Sequence, residues 1–420
     1  MRIALLSYRT KEHCGGQGVY VRHLSRGLAQ LGHEVEVFSG QPYPDDLDPR
    51  VRLTKVPSMD FFREPDPFRT PRLREFGSAT DVLEYALTLT GCFAEPLTFS
   101  LRASAILKDR AADFDVVHDN QSLGYGLLAI MRRGTPLAAT VHHPISRDRR
   151  VELTAATSWR RKLSVSRWYG FVPMQARVAR RIPIVLAVAG ASAADSVADF
   201  DLDPDQMRVV PLGVDTELFA PAGDRVPGRI VAIASADKPL KGVVHLLEAL
   251  AKVRTEHDVH LELVSSLEPG GATERRIAEL GIADAVHVVT GISDEALATL
   301  LASAEIMCVP SLYEGFSLPT VEAMSCGTPV VATHAGALPE VVGTDDAGIS
   351  ECAVLVEPGD AEALASAIRG LVESPTDRAR LGAAGRRRAL ERYSWTAVAE
   401  ATVAAYSEAV DAARRRTRRP

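Results

Sequence analysis

The chain has 420 residues, with 48 Lys and Arg against 54 Asp and Glu and a formal net charge of −6. This balance excludes the basic excess of a nucleic-acid binder, and the length exceeds one ordinary hydrophobic core, so two domains are expected. The five cysteines, Cys14, Cys92, Cys308, Cys326 and Cys352, show no CxxC spacing, which argues against a disulfide framework or a zinc site and fits a reducing cytoplasm.

In chain order, "RIALLS" reads as a buried strand. Its apolar run is too short for an export signal, and the later "IPIVLAVAG" is far below a membrane span, so a cytoplasmic location is expected. A polar loop, "YRTKEHCGGQG", leads to a helix carrying Val21, Leu24, Leu28 and Leu31 at helical spacing, ended by Gly32. "HEVEVFSG" is the next strand, completing a unit of the kind that builds parallel sheets. "FDVVHD", "PLAATVHH" and "IPIVLAVA" extend that sheet, while Pro57 to Thr98, rich in Pro, Phe and Arg, reads as an irregular insertion. A second series, "RIVAIAS", "VHLELVSS", "AVHVVTG", "AEIMCVPS", "TPVVAT" and "AVLVEP", alternates with helical segments such as "VVHLLEALAKVRT". The expected organisation is a doubly wound α/β domain over 1–205 and a Pro- and Gly-rich linker over 206–228. A second such domain follows over 229–390, then a helix over 391–412 that crosses back, and an unstructured basic tail over 413–420. Two open parallel sheets bind ligands at the carboxyl ends of their strands.

One such end carries "PSLYEGFSLPTVEAMSCGTPVVAT". Pro319 suits the first position of a helix that Gly327 and Pro329 end, which sets Glu314 just before that helix and Glu322 in its first turn. Free amides of Gly315, Phe316, Ser317 and Leu318 would hold a phosphate oxygen, and Glu322 would accept from hydroxyls such as those of a ribose. The alternative is a solvated Glu314 and a Glu322 that only offsets the helix dipole.

The surroundings resemble the glycosyltransferase family 4 group of retaining, GT-B-type enzymes. The likeness rests on that stretch, on "VVPLGVDTELF", "SADKPLKG" and "HCGGQGVYVRHLSRGLAQLGHEV", and on "RYSWTAVAEATVAAYSEAV" near the end. It implies two Rossmann-like domains facing each other across a cleft, the second holding a nucleotide-diphosphate sugar. It assigns Glu322 to the donor ribose and Glu314 to the donor sugar's hydroxyls. Gly15 and Gly16 would face the diphosphate and the acceptor, and Gly291 and Ile292 would read the base through their backbone. Lys241 would neutralise the leaving diphosphate. The family usually has Arg five residues earlier, where this chain has Ala236; Lys238 or Arg229 would then supply the missing charge.

The family often has His at the positions of His118 and Asn120, which implies a site role for both, with an amide here in place of the second imidazole. His142 is a further candidate. Cys14 is expected to pack rather than react. The two "DLD" stretches, Asp46 to Asp48 and Asp201 to Asp203, lie in polar loops and read as turns, and with the metal-independent GT-B type this gives an expectation of no metal and no cofactor.

The stretch 147–181 carries many Arg residues with Trp159, Trp168, Tyr169 and Phe171. It reads either as a solvated face whose aromatics enter the core or as a peripheral contact with an anionic membrane, the second admitting a lipid-linked acceptor as well as a saccharide. The expected activity is metal-independent, retaining transfer of a sugar from a UDP-, GDP- or ADP-linked donor to an acceptor hydroxyl, with Glu314, Lys241 and His118 at the reaction centre. The acceptor surface is expected in the insertion. The rivals are a non-catalytic nucleotide-sugar-binding scaffold and a nucleotide-sugar epimerase.

Overall fold

The computed structural model describes residues 1–10, 16–63 and 66–417. The chain forms two compact units, one comprising residues 1–210 with the chain from Val398 onward, the other Pro211–Ala397.

The first unit is built on a seven-stranded parallel sheet: β1 Arg2–Ser7, β2 Glu34–Ser39, β3 Arg52–Lys55, β4 Val116–Asn120, β5 Leu137–Val141, β6 Ile184–Ala187 and β7 Met207–Val209. The order across the sheet is β3-β2-β1-β4-β5-β6-β7, with β1 and β4 side by side where the winding reverses. The central strands β4, β5 and β6 are buried throughout because helices cover both faces; β5 and β6 read as apolar runs, whereas β4 ends in the buried polar residues His118, Asp119 and Asn120. β3 and β7 escaped sequence reading: "RLTK" is a polar edge strand, and β7 has three residues inside the stretch read as linker. The linker expected over 206–228 is thus divided, with β7 in the first sheet and Pro211 onward in the second unit.

The expected irregular insertion contains helix Ala79–Leu89 and the start of helix Glu95–Ile106. Ser78 accepts from Asp81 N at the first helix's start, and Pro96 sits in the first turn of the other. The stretch 147–181 forms helices Ser146–Ala155, Trp159–Trp168 and Val172–Ala179. Tyr169 and Phe171 are buried in the core, whereas Trp159 is 70% exposed. Among the described residues no helix is long and apolar enough to cross a membrane.

The second unit holds a six-stranded parallel sheet: β8 Arg229–Ile233, β9 His260–Val264, β10 Val286–Val289, β11 Ile306–Val309, β12 Val330–Thr333 and β13 Ala353–Val356. Its order, β10-β9-β8-β11-β12-β13, again reverses between its first and fourth strands, β8 and β11. Helices Val243–Val253 and Ala361–Glu373 pack their apolar faces on this sheet, where Leu246, Leu250, Leu364 and Ile368 are fully buried.

The last helix, Trp395–Thr417, enters the first unit at Val398 and runs through the segment read as an unstructured tail as far as Thr417. Tyr406, wholly buried, anchors it, with its hydroxyl 2.6 Å from His118 Nδ1. His118 Nε2 lies 2.7 Å from Thr140 Oγ1, so both ring nitrogens are engaged. Burial pushes this imidazole down to about 3, so it is neutral and uses one nitrogen as donor and the other as acceptor. Tyr406→Phe should cost about 1–2 kcal/mol of stability by urea denaturation, because it leaves a buried ring nitrogen unpaired.

Candidate functional site

In the second unit the loops that follow β8 and β11 meet at the reversal of strand order, the position where doubly wound sheets bind ligands. Two backbone constraints bring them together. Leu312 N donates to Leu240 O at 2.8 Å. Gly242 has φ +62°, and a Cβ there would stand 2.0 Å from Pro310 O, so only glycine permits this approach.

Lys241 is thereby delivered to Glu314, its Nζ 2.7 Å from Oε1. Ser311 Oγ donates to the same oxygen at 2.7 Å. The backbone of Glu314 is fixed as well: its carbonyl accepts from Ala337 N at 2.9 Å, and Gly336, at φ +57°, leaves room for it. Two residues expected to work on different parts of a ligand are therefore a direct ion pair, half-buried on the lysine side and more deeply on the glutamate side.

Ser317, at φ +79°, occupies the left-handed region and turns the chain into helix Leu318–Ser325, its Oγ 2.8 Å from Thr320 Oγ1. Among the described residues, the amides of Phe316, Ser317 and Leu318 find no acceptor. Unpaired amides at a helix N-terminus carry the positive end of its dipole. The Phe316 ring itself is core, packed edge-on to Tyr393.

Glu322 lies in the second turn of this helix, one turn later than expected, because the helix begins at Leu318 and spans eight residues. Its carboxyl is pushed up to about 7, first by desolvation and then by the charge of Asp294, and no hydrogen-bond partner reaches it among the described residues. A desolvated acceptor without donors is suited to ligand hydroxyls.

Around this centre, Gly291, at φ +63°, and Ile292 follow the edge strand β10. Lys238 is exposed on the same loop as Lys241. Ala236 is buried, its amide donating to Ser265 Oγ at 3.1 Å. Arg229 begins β8, at the end of the strand away from the site, and donates to Ser303 Oγ, so it does not supply the missing cation.

The first unit has its own polar cluster at the reversal between β1 and β4. Asn120 is fully buried and donates to Ser7 Oγ at 3.2 Å, while its Oδ1 lies 2.7 Å from His142 Nε2. Gln121 ties β4 to the end of β5, accepting from His142 N at 2.7 Å and donating to His143 O at 2.6 Å. Burial lowers His142 to about 4, so it is neutral; with Nε2 donating to Asn120, its Nδ1 is left as an acceptor. His142 is partly exposed, whereas His118 is sealed in the core, so the expectation for His118 is corrected: it braces the terminal helix. Gly16 begins helix Gly16–Gln30, and Cys14 and Gly15 lie outside the described residues. Ser311, Gly242 and Gly336 were not singled out from sequence; "LKGVV" and "HAGALP" offered a signal only in that each glycine precedes a helix. Among the described residues no group of three or more His, Cys, Asp or Glu could hold a metal ion.

Gly242→Ala should lower stability by about 2 kcal/mol or more, measured by thermal or urea unfolding, because it adds backbone strain and a clash with Pro310 O. Glu322→Gln tests the raised carboxyl. The folded chain retains a proton there between about pH 4.5 and 7 that the unfolded chain releases, so stability falls as pH rises through that window. The variant should therefore melt higher than the parent at about pH 8 and equal it near pH 4.5.

Comparison with known proteins places these features in context. The model described as Glycosyltransferase Family 4 matches residues 14–218, and that described as Glycosyl transferases group 1 matches 215–388. An MMP alpha-(1->4)-mannosyltransferase of Mycolicibacterium hassiacum is 64% identical over 410 residues, covering 98% of each chain. A D-inositol 3-phosphate glycosyltransferase of Xylanimonas cellulosilytica is 31% identical over 97% of each. Among solved structures, the sucrose-phosphate synthase from Thermosynechococcus elongatus superposes with a TM-score of 0.68 at 24% identity, over 98% of this chain and 99% of that one. Anabaena HepE in complex with UDP does so with 0.65 at 19%, over 97% and 100%.

Proposed function

The chain belongs to glycosyltransferase family 4 and is a glycosyltransferase of GT-B fold, and from that premise we propose that it moves a mannosyl group from a nucleoside diphosphate donor to the 4-hydroxyl of a saccharide acceptor. The sugar and the α-(1→4) linkage follow the activity named for the 64% identical relative. With an α-linked donor, an α product means retention at the anomeric carbon.

The observation that carries the reading is the Lys241–Glu314 pair set beside three unused amides and a carboxyl without donors. In this reading Glu322 holds the ribose hydroxyls, and the Phe316, Ser317 and Leu318 amides hold the diphosphate. Gly291 and Ile292 offer backbone groups to the base. Lys241 bridges the two halves of the donor, with its ammonium toward the diphosphate oxygens and its partner Glu314 toward the hydroxyls of the mannose. The acceptor oxygen bonds to the anomeric carbon on the face from which the diphosphate departs. The carbon–oxygen bond to phosphate breaks with its electron pair going to the leaving group, and the acceptor's proton passes to a phosphate oxygen. No protein nucleophile or metal ion takes part; charge neutralisation comes from Lys241, Lys238 and the amides. The neutral His142 offers Nδ1 to a hydroxyl at the first unit's edge.

The test is product analysis with UDP-, GDP- and ADP-mannose against α-mannoside acceptors, the linkage and anomeric configuration being read by NMR. A new α-(1→4) bond with one of the donors is the expected result; donor isomerisation or binding without transfer would overturn the reading. Lys241→Ala should cut kcat by about a hundredfold or more, in line with the removal of one charge-stabilising group. Combined with Glu314→Ala it should be less than additive, because each single change already breaks the pair.

A further inference from the structure

The carboxyl end of β1 leads away from the polar cluster of the first unit into a group of aromatic rings. Ser7 Oγ, which accepts from Asn120, donates to Arg9 O at 2.9 Å, so the polar cluster and Arg9 are joined through one side chain. Arg9 donates to Glu95 through Nε at 2.5 Å and Nη2 at 3.0 Å. Its guanidinium carbon lies 4.6 Å from the centre of the Phe62 ring and 5.1 Å from that of Phe93. Phe93 lies 5.3 Å from Trp168, their rings inclined at 32°, and Phe62 lies 5.3 Å from Phe68 and 6.0 Å from Trp168.

Three separate stretches of chain deliver these rings, and Phe93 and Trp168 rest with one side on the first unit's core. The cluster is not sealed: Phe68 is 58% exposed, Phe62, Phe93 and Trp168 are only partly covered, and the Arg9 side chain is 39% exposed. The bidentate Glu95 cancels the arginine's charge, so the centre of the cluster has no net attraction for a phosphate headgroup. Arg9 Nη1 makes no hydrogen bond among the described residues and remains a donor. The Phe62 ring stands edge-on to Phe68, Phe93 and Trp168, so the cluster offers ring edges as well as faces around one neutralised but hydrogen-bonding guanidinium, which matches the two-sided chemistry of a pyranose, whose C–H faces are apolar and whose rim carries hydroxyls. The cluster also continues directly from the reversal of strand order in this sheet, the edge where such sheets bind ligands.

We propose that Phe62, Phe68, Phe93 and Trp168, gathered around Arg9, form the platform on which an uncharged saccharide acceptor lays its sugar rings. The proposal rests on the reading of the acceptor as a saccharide. Phe68→Ala and Phe62→Leu remove ring surface at positions that are not fully buried, so both variants should fold. With α-(1→4)-linked mannooligosaccharides as acceptors, each should raise the acceptor KM about three- to tenfold while leaving donor KM and kcat within about twofold. An unchanged acceptor KM in both variants overturns the platform. If the parent chain transfers to no mannoside, the mannosyl reading fails separately, and calorimetry with the same oligosaccharides decides the platform. Weaker binding by the variants supports it, and either equal binding or no binding by the parent chain overturns it.

Discussion

A single carboxylate oxygen, Oε1 of Glu314, organises the second unit's ligand edge by accepting from both Lys241 Nζ and Ser311 Oγ. The pair is possible only because the loops after β8 and β11 are bound to each other through Leu312 N and Leu240 O, and because Gly242 lets them approach. An ion pair of this exposure contributes little to stability. Its value is positional: it fixes an ammonium and a carboxylate at one point beside the start of helix Leu318–Ser325, where the free amides lie. The strain of Ser317 in the left-handed region belongs to the same arrangement, since it sets the turn by which the chain enters that helix.

Two glutamates eight positions apart show how environment separates chemically identical groups. Glu314 meets a cation and a hydroxyl donor, whereas Glu322 meets neither and is lifted to about 7 by desolvation beside Asp294. The first is held by a charged partner, and the second is desolvated without one. That contrast is what the proposed donor, with a charged diphosphate between two hydroxyl-bearing sugars, would use.

The first unit repeats the winding of the second but fills its strand ends differently. At its reversal of strand order stand neutral imidazoles, an amide, hydroxyls and an arginine already paired to Glu95. Among the described side chains of this cluster, the one cation is compensated by its carboxylate partner, whereas Lys241 stands beside free amides. The two strand orders are alike, and the chemistry follows from the loops they carry.

Two parallel α/β units and most of their central strands were legible in the sequence, because a strand covered on both faces is apolar over most of its length, its polar residues gathering at the carboxyl end as in β4. The polar edge strand β3, the three-residue β7 and the helices between Pro57 and Thr98 were not, since little in their composition separates them from loops. The glutamates, the lysine and the amide donors were legible because their spacing and the adjoining helix start are local features. Their pairing was not, because Lys241 and Glu314 lie far apart in the chain and meet only through the sheet's winding. His118 and His142 make the same point: the sequence showed two histidines at strand ends, while the packing of Tyr406 decided that one is a buried brace and the other faces the edge. Sequence thus determined which chemical groups the chain carries and at which strand ends. Tertiary structure decided which are neighbours and which are desolvated, because distance and burial depend on contacts between residues remote in sequence.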